Sequence, residues 1–162
     1  ANLLAEKDIR PVEDGAQHPA VDPDAPPDVQ WFQAAKIGDS WSLKQLLNER
    51  PSLLGKAARA GGQTALHHCA VAGHLTCCTE LMDRGLLVTV RDAQQRTALH
   101  CAASGGHLEL VVELMRRGAE VAAQDTEGMT AAELAEVRGH AQVAEAIKAG
   151  AGDLSPKGTG AQ

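Results

Sequence analysis

Three stretches of the chain are copies of one pattern set 33 positions apart: TALHHCAVAGHLTCC at residues 64–78, TALHCAASGGHLELV at 97–111 and TAAELAEVRGHAQVA at 130–144. A unit of this length cannot bury an apolar face by itself, so its copies must stack into an elongated array in which each contacts its neighbours. That excludes a fold organised around a single central sheet or barrel. The near absence of aromatic residues, with two tryptophans, one phenylalanine and no tyrosine, agrees with packing through small side chains.

The first copy holds three of the seven histidines and three of the four cysteines, a density that raises the question of a metal or thiol site. Comparison along the repeat answers for most of these residues. His67 recurs as His100 and becomes Glu133, while His74 recurs as His107 and His140. The cysteines do not recur: Cys69, Cys77 and Cys78 give way to Ala102 and Ala135, Leu110 and Val143, and Val111 and Ala144. They occupy small apolar slots, and free cysteine behaves as a small buried hydrophobe. No C-x-x-C pair is present, whereas structural zinc usually takes two spaced ligand pairs, so no metal site and no cofactor are expected. A metal- or redox-sensing role for the Cys/His cluster stays open as an outside alternative.

Each copy reads as two short helices. Thr64, Thr97 and Thr130 stand where a hydroxyl caps a helix start, and Gly73, Gly106 and Gly139 stand where a left-handed residue ends it. In LELVVELMRR, the residues Leu110, Val111, Leu114 and Met115 form one apolar face of a second helix, and Gly85 and Gly118 close the second helices. LLVTVRDAQQR and AEVAAQDTEGM are too short for another helix and suit an extended arm with a tight turn. Residues 1–27, acidic and proline-bearing, read as a disordered linker, and residues 151–162 as a flexible tail.

Residues 92–124 carry Asp92, Thr97, Leu99, His100, Ala102, Ala103, Gly106, His107, Val111, Leu114, Gly118, Ala119 and Val121 in the order D-x-x-G-x-T-P-L-H-x-A-A-x-x-G-H followed by V-x-x-L-L-x-x-G-A. In this the chain resembles the ankyrin-repeat family, closely over 62–150 and more loosely over 28–61, where Trp31, Ala34, Ala35, Gly38, Leu43, Leu46 and Leu47 keep the helix-pair pattern. The resemblance implies an all-α solenoid of about four helix-turn-helix units with β-hairpin arms and a curved, concave face. It divides the domain into a cap repeat at 28–61, repeats at 62–91 and 92–124, and a second cap at 125–150. Two departures stand out. Ala65, Ala98 and Ala131 replace the family's proline, and Gln95 replaces the turn glycine kept at Gly62 and Gly128, so a less regular tip is expected there.

By the same resemblance, His67 and His100 tie neighbouring turns together, and a protein partner is held by the arm tips and the exposed side of the first helices. Those positions are Lys36 and Ile37, then Arg59, Gln63, Val71 and Ala72, then Arg91, Asp92, Gln94, Arg96 and Ser104, and finally Thr126, Glu127, Met129, Val137 and Arg138. Trp41 takes the place of the polar Thr76, Glu109 and Gln142, so its indole is expected in water as an anchor for a partner, unless Val21 or the Pro26 and Pro27 pair covers it or it fills a gap in the cap.

The function expected is a non-catalytic protein-binding module, free or part of a larger adaptor or regulatory protein. The alternative is a small inhibitor that clamps an enzyme such as a kinase, as the four-repeat cyclin-dependent kinase inhibitors do. No catalytic residue and no small-molecule substrate are expected, because neither His68 beside Cys69 nor His100 beside Cys101 can face its neighbour on a helix. Residues 1–30 hold seven acids against two bases, and 31–150 hold thirteen against twelve. The chain therefore lacks the basic stripe that phosphate backbones require, and nucleic acid is not an expected partner. No apolar run approaches the roughly 18 residues of a membrane span, so no membrane insertion is expected, and cysteines without framework spacing point to an intracellular, cytoplasmic or nuclear, setting.

Overall fold

A computed structural model of the chain describes residues 21, 22, 24–58 and 61–154, with no side chains described after 150. Among these residues there are eight α-helices in four pairs: α1 (Pro27–Ile37) with α2 (Ser40–Glu49), α3 (Ala65–Ala72) with α4 (Leu75–Asp83), α5 (Ala98–Gly105) with α6 (Leu108–Arg116), and α7 (Ala131–Val137) with α8 (Ala141–Leu154). A single 3-10 turn, Pro51–Leu53, follows α2. The first helices pack in sequence, α1 on α3, α3 on α5 and α5 on α7, while α2 meets α4 and α6 meets α8 in a second layer. The alternation is that of an all-α solenoid.

Small side chains set the spacing of the first layer. Ala34, Ala35, Ala65, Cys69, Ala70, Ala98, Ala102, Ala103, Ala131 and Ala135 are all buried, which lets helix backbones approach closely. Leu43, Leu66, Leu81, Leu99, Leu110, Leu114 and Ile147 fill the space between layers. The four cysteines are free and buried, as the apolar-slot reading requires.

The helix ends follow from the repeated residues. Thr64, Thr97 and Thr130 are N-caps with a capping box, completed by His67, His100 and Glu133 respectively. At the other end of α3, Gly73 at φ 81° carries a Schellman pair: its N–H donates to Ala70 at 3.2 Å and that of His74 to Cys69 at 2.9 Å.

The arms keep a tight turn but not a strand ladder. Asp92 N–H donates to the Arg96 carbonyl and Asp125 N–H to that of Met129, both at 3.0 Å, closing equivalent turns. Successive tips are joined by Ala93 N–H to Gly61 at 2.9 Å and Thr126 N–H to Gln94 at 3.0 Å. Among the described residues the β pairing of the arms is reduced to one isolated antiparallel bridge, Ala57 with Thr64. The tip at Gln95 is regular after all: Gln95 adopts φ 62° and donates to Asp92 at 2.9 Å, as Gly128 donates to Asp125 at 3.0 Å.

Described structure extends to either side of residues 28–150. Val21 packs against the core and Asp22 N–H donates to Gln33 Oε1 at 3.2 Å, so the last residues of the supposed linker lie on the domain. α8 runs to Leu154, past the tail boundary at 150. Gly150 explains its close docking, because a Cβ there would sit 2.6 Å from the Met115 methyl carbon. The expected linker over residues 1–20 and the tail beyond 154 lie outside the described residues.

Candidate protein-binding groove

Two kinds of residue pin the repeats against one another and so position the groove. His67 Nδ1 accepts the Thr64 N–H at 3.1 Å, which leaves its Nε2 to carry the proton and donate to the Arg96 carbonyl at 3.0 Å. His100 repeats this with Thr97 at 3.2 Å and the Met129 carbonyl at 3.1 Å. Each ring thereby caps its own helix and holds the next arm. Burial lowers both pKa values, and the neutral form is the one that fits, since protonated Nδ1 would oppose a backbone N–H. The second set reaches backward: His74 Nε2 donates to Lys36 O at 3.0 Å and His107 Nε2 to Val71 O at 2.9 Å. Asp39 stands at the corresponding place in the first pair and instead accepts the Ser42 N–H of its own helix at 3.0 Å, where no earlier pair lies among the described residues.

The arms and first helices then enclose a groove of about 520 Å³ that crosses all four pairs. Eight of the partner-facing positions derived from the sequence line it: Lys36, Gln63, Val71, Ala72, Arg96, Ser104, Glu127 and Arg138. His68, Cys101, Leu134, His100 and Asp125 complete the lining and were missed. The first three of these are one register position, 33 residues apart, and their change from His to Cys to Leu was the available signal. His68 meets the edge of Phe32, with ring centroids 5.5 Å apart, and burial together with the nearby Lys36 and His67 lowers its pKa to about 4.

The other positions are placed elsewhere. Asp92 is buried rather than partner-facing: Oδ1 accepts the Gln94 and Arg96 N–H groups, each at 2.9 Å, and Oδ2 accepts Arg96 Nε at 3.0 Å. Burial acts to raise its pKa, but these bonds and the Arg96 charge hold it below the ordinary carboxylate value. Arg91 pairs with Glu120 at 3.1 Å and reaches the Gln124 carbonyl. Ile37 and Met129 are half-buried, whereas Gln94, Thr126 and Val137 are exposed without lining the groove. Arg59 lies outside the described residues. Trp41 is half-buried with its indole nitrogen shielded, not out in water; it shares a hollow of about 290 Å³ with Val21, Gln30 and Leu46 on the second-helix side.

Cys69 and Cys101 have little thiolate character, whereas the hydrogen bond with Cys69 lowers the pKa of Cys77. Cys69 donates to the Ala35 carbonyl at 3.4 Å, and hydrogen bonding with Cys77 and Cys78 together with burial holds it protonated well above the ordinary thiol value. Burial pushes Cys101 up to about 12. Among the described residues no group of three or more His, Cys, Asp or Glu is disposed to hold a metal ion, and no helix is long and apolar enough to cross a membrane.

The family model described as ankyrin repeats (3 copies) matches residues 31–125 and 89–155. A search of curated proteins finds no match.

Proposed function

The chain belongs to the ankyrin-repeat family, whose members are generally protein–protein interaction modules, and we propose that it holds a protein partner in the groove between its arms and first helices. The observation that carries this reading is the convergence of side chains from all four helix pairs on one continuous surface. Its mixture of exposed aliphatic, amide, hydroxyl and charged groups has the composition of a recognition surface with an apolar centre and a polar rim. Four buried free thiols suit a reducing, intracellular setting for an adaptor or regulatory module.

The test is site-specific photo-crosslinking in cell lysate. A photoreactive amino acid at Val71 or Ser104 is expected to capture a discrete protein product, and one at Leu108 or Val112, exposed on α6, is expected not to. Equal capture from both faces, or capture from α6 alone, would remove the groove as the partner face.

A further inference from the structure

Seven of the eleven lysines and arginines among the described residues lie within ion-pair distance of a carboxylate: Lys44, Arg84, Arg91, Arg96, Arg116, Arg117 and Lys148. Lys36 and Arg138 do not, and both line the groove, one at each end. Lys36 sits in the last turn of α1 and Arg138 is the C-cap of α7. Between them the same rim carries Val71, half exposed, and Ala72. The groove's acids are on the arm side, and Asp125 there is engaged by the N–H groups of Glu127 at 2.8 Å and Met129 at 3.0 Å. Arg96, the remaining basic lining residue, is occupied by Asp92. The unsatisfied charge of the helix-side rim is therefore positive at both ends and absent in the middle.

We propose that the groove takes an extended partner segment with carboxylates at both ends and small apolar side chains between, its ends paired with Lys36 and Arg138. This rests on the groove being the partner face and adds the chemistry of the partner. Three helix steps of 8–10 Å separate the two cations, about 25–30 Å in all. At 3.3 Å per residue an extended segment of about nine residues bridges them. Carboxylates at its ends neutralise two cations that the fold leaves unpaired, and apolar centres dehydrate Val71 and Ala72. A segment with basic ends meets repulsion at both.

The probe is a synthetic peptide of about nine residues with two glutamates at each end of an alternating alanine and leucine centre, compared with versions ended by glutamine or lysine. Titrated into the isotope-labelled full chain, the glutamate version is expected to shift the amide resonances of Ala72, Ser104 and Arg138. It should bind roughly tenfold more tightly than the glutamine version, while the lysine version fails to bind. In the K36E/R138E double variant, whose altered side chains are both exposed, the preference is expected to reverse in favour of lysine ends. Equal binding of the glutamate and glutamine versions at those amides would overturn the acidic preference and leave the groove intact as a partner face. Absence of groove shifts with every peptide overturns the proposal and leaves the partner face to the crosslinking test. Binding that appears only after removal of residues 1–20 would transfer the groove to the chain's own acidic segment and likewise overturn an external partner.

Discussion

The ring of His107 lies where a side chain on Gly73 would be: a Cβ added to the glycine would stand 2.4 Å from His107 Nδ1. The same glycine ends α3 at φ 81°, so one position answers to two constraints, a left-handed backbone and a histidine from the next repeat. Gly38 and Gly106 meet His74 and His140 in the same way, whereas Gly139, at φ 85°, has nothing within 4 Å.

The two constraints separate by mutation. Gly139→Ala should cost about 1–2 kcal/mol, the left-handed penalty alone. Gly73→Ala should cost about 1 kcal/mol more, because the displaced ring also loses its bond to Val71 O. Chemical denaturation of the two variants checks this, and equal losses would mean that the histidine ring moves aside freely.

Acid should weaken the stack through His67 and His100. Their folded pKa values lie below the usual 6.5, so the unfolded chain binds more protons once the pH falls under that value. The stability they contribute is complete above about pH 6.5 and declines as the pH drops from there towards their folded values. His67→Gln/His100→Gln, which keeps an acceptor for the threonine N–H as Glu133 does at Thr130, should lose up to about 1 kcal/mol per site at pH 7.5 yet show a flatter decline. His68, with its pKa near 4, leaves a residual slope in the variant. Melting curves from pH 7.5 to 4.5 would reveal an unchanged slope if the rings were not the titrating groups.

Gln95 is the only non-glycine residue at positive φ among those described. Gln95→Gly should raise stability by about 0.5–1 kcal/mol by relieving the left-handed strain, less the added chain entropy of glycine. A lowered melting temperature would show that the glutamine side chain contributes more than its backbone costs.

Leu99 and Leu114 are fully buried in the central repeat. Replacing either by alanine should cost about 2–5 kcal/mol. An exposed leucine, Leu87→Ala, should cost far less and serves as the reference in the same denaturation series.

The repeat register was legible because its fixed points are backbone requirements: threonine at a helix start, glycine at a left-handed end and histidine between two main-chain partners each meet a need that few residue types satisfy, so they recur at a fixed spacing. The groove was only partly legible. Positions 68, 101 and 134 carry unlike side chains, His, Cys and Leu, so no motif marks them as one register of the groove's lining. Asp92 looked like a surface charge because charge alone does not reveal that two N–H groups and a guanidinium enclose its carboxylate. The close approach of α8 to α6 at Gly150 and Met115 is a contact between helices that sequence spacing does not display.

The histidines that lock the stack all grip main-chain oxygens: His67 that of Arg96, His74 that of Lys36, His100 that of Met129 and His107 that of Val71. A carbonyl is common to every amino acid, so the lock does not depend on which side chain its anchoring residue bears. Lys36 and Val71 thus serve assembly through the backbone while their side chains line the groove, whereas the Arg96 side chain is also held by Asp92. In evolutionary terms, the groove's lining at Lys36 and Val71 can change one substitution at a time without passing through an unstacked intermediate.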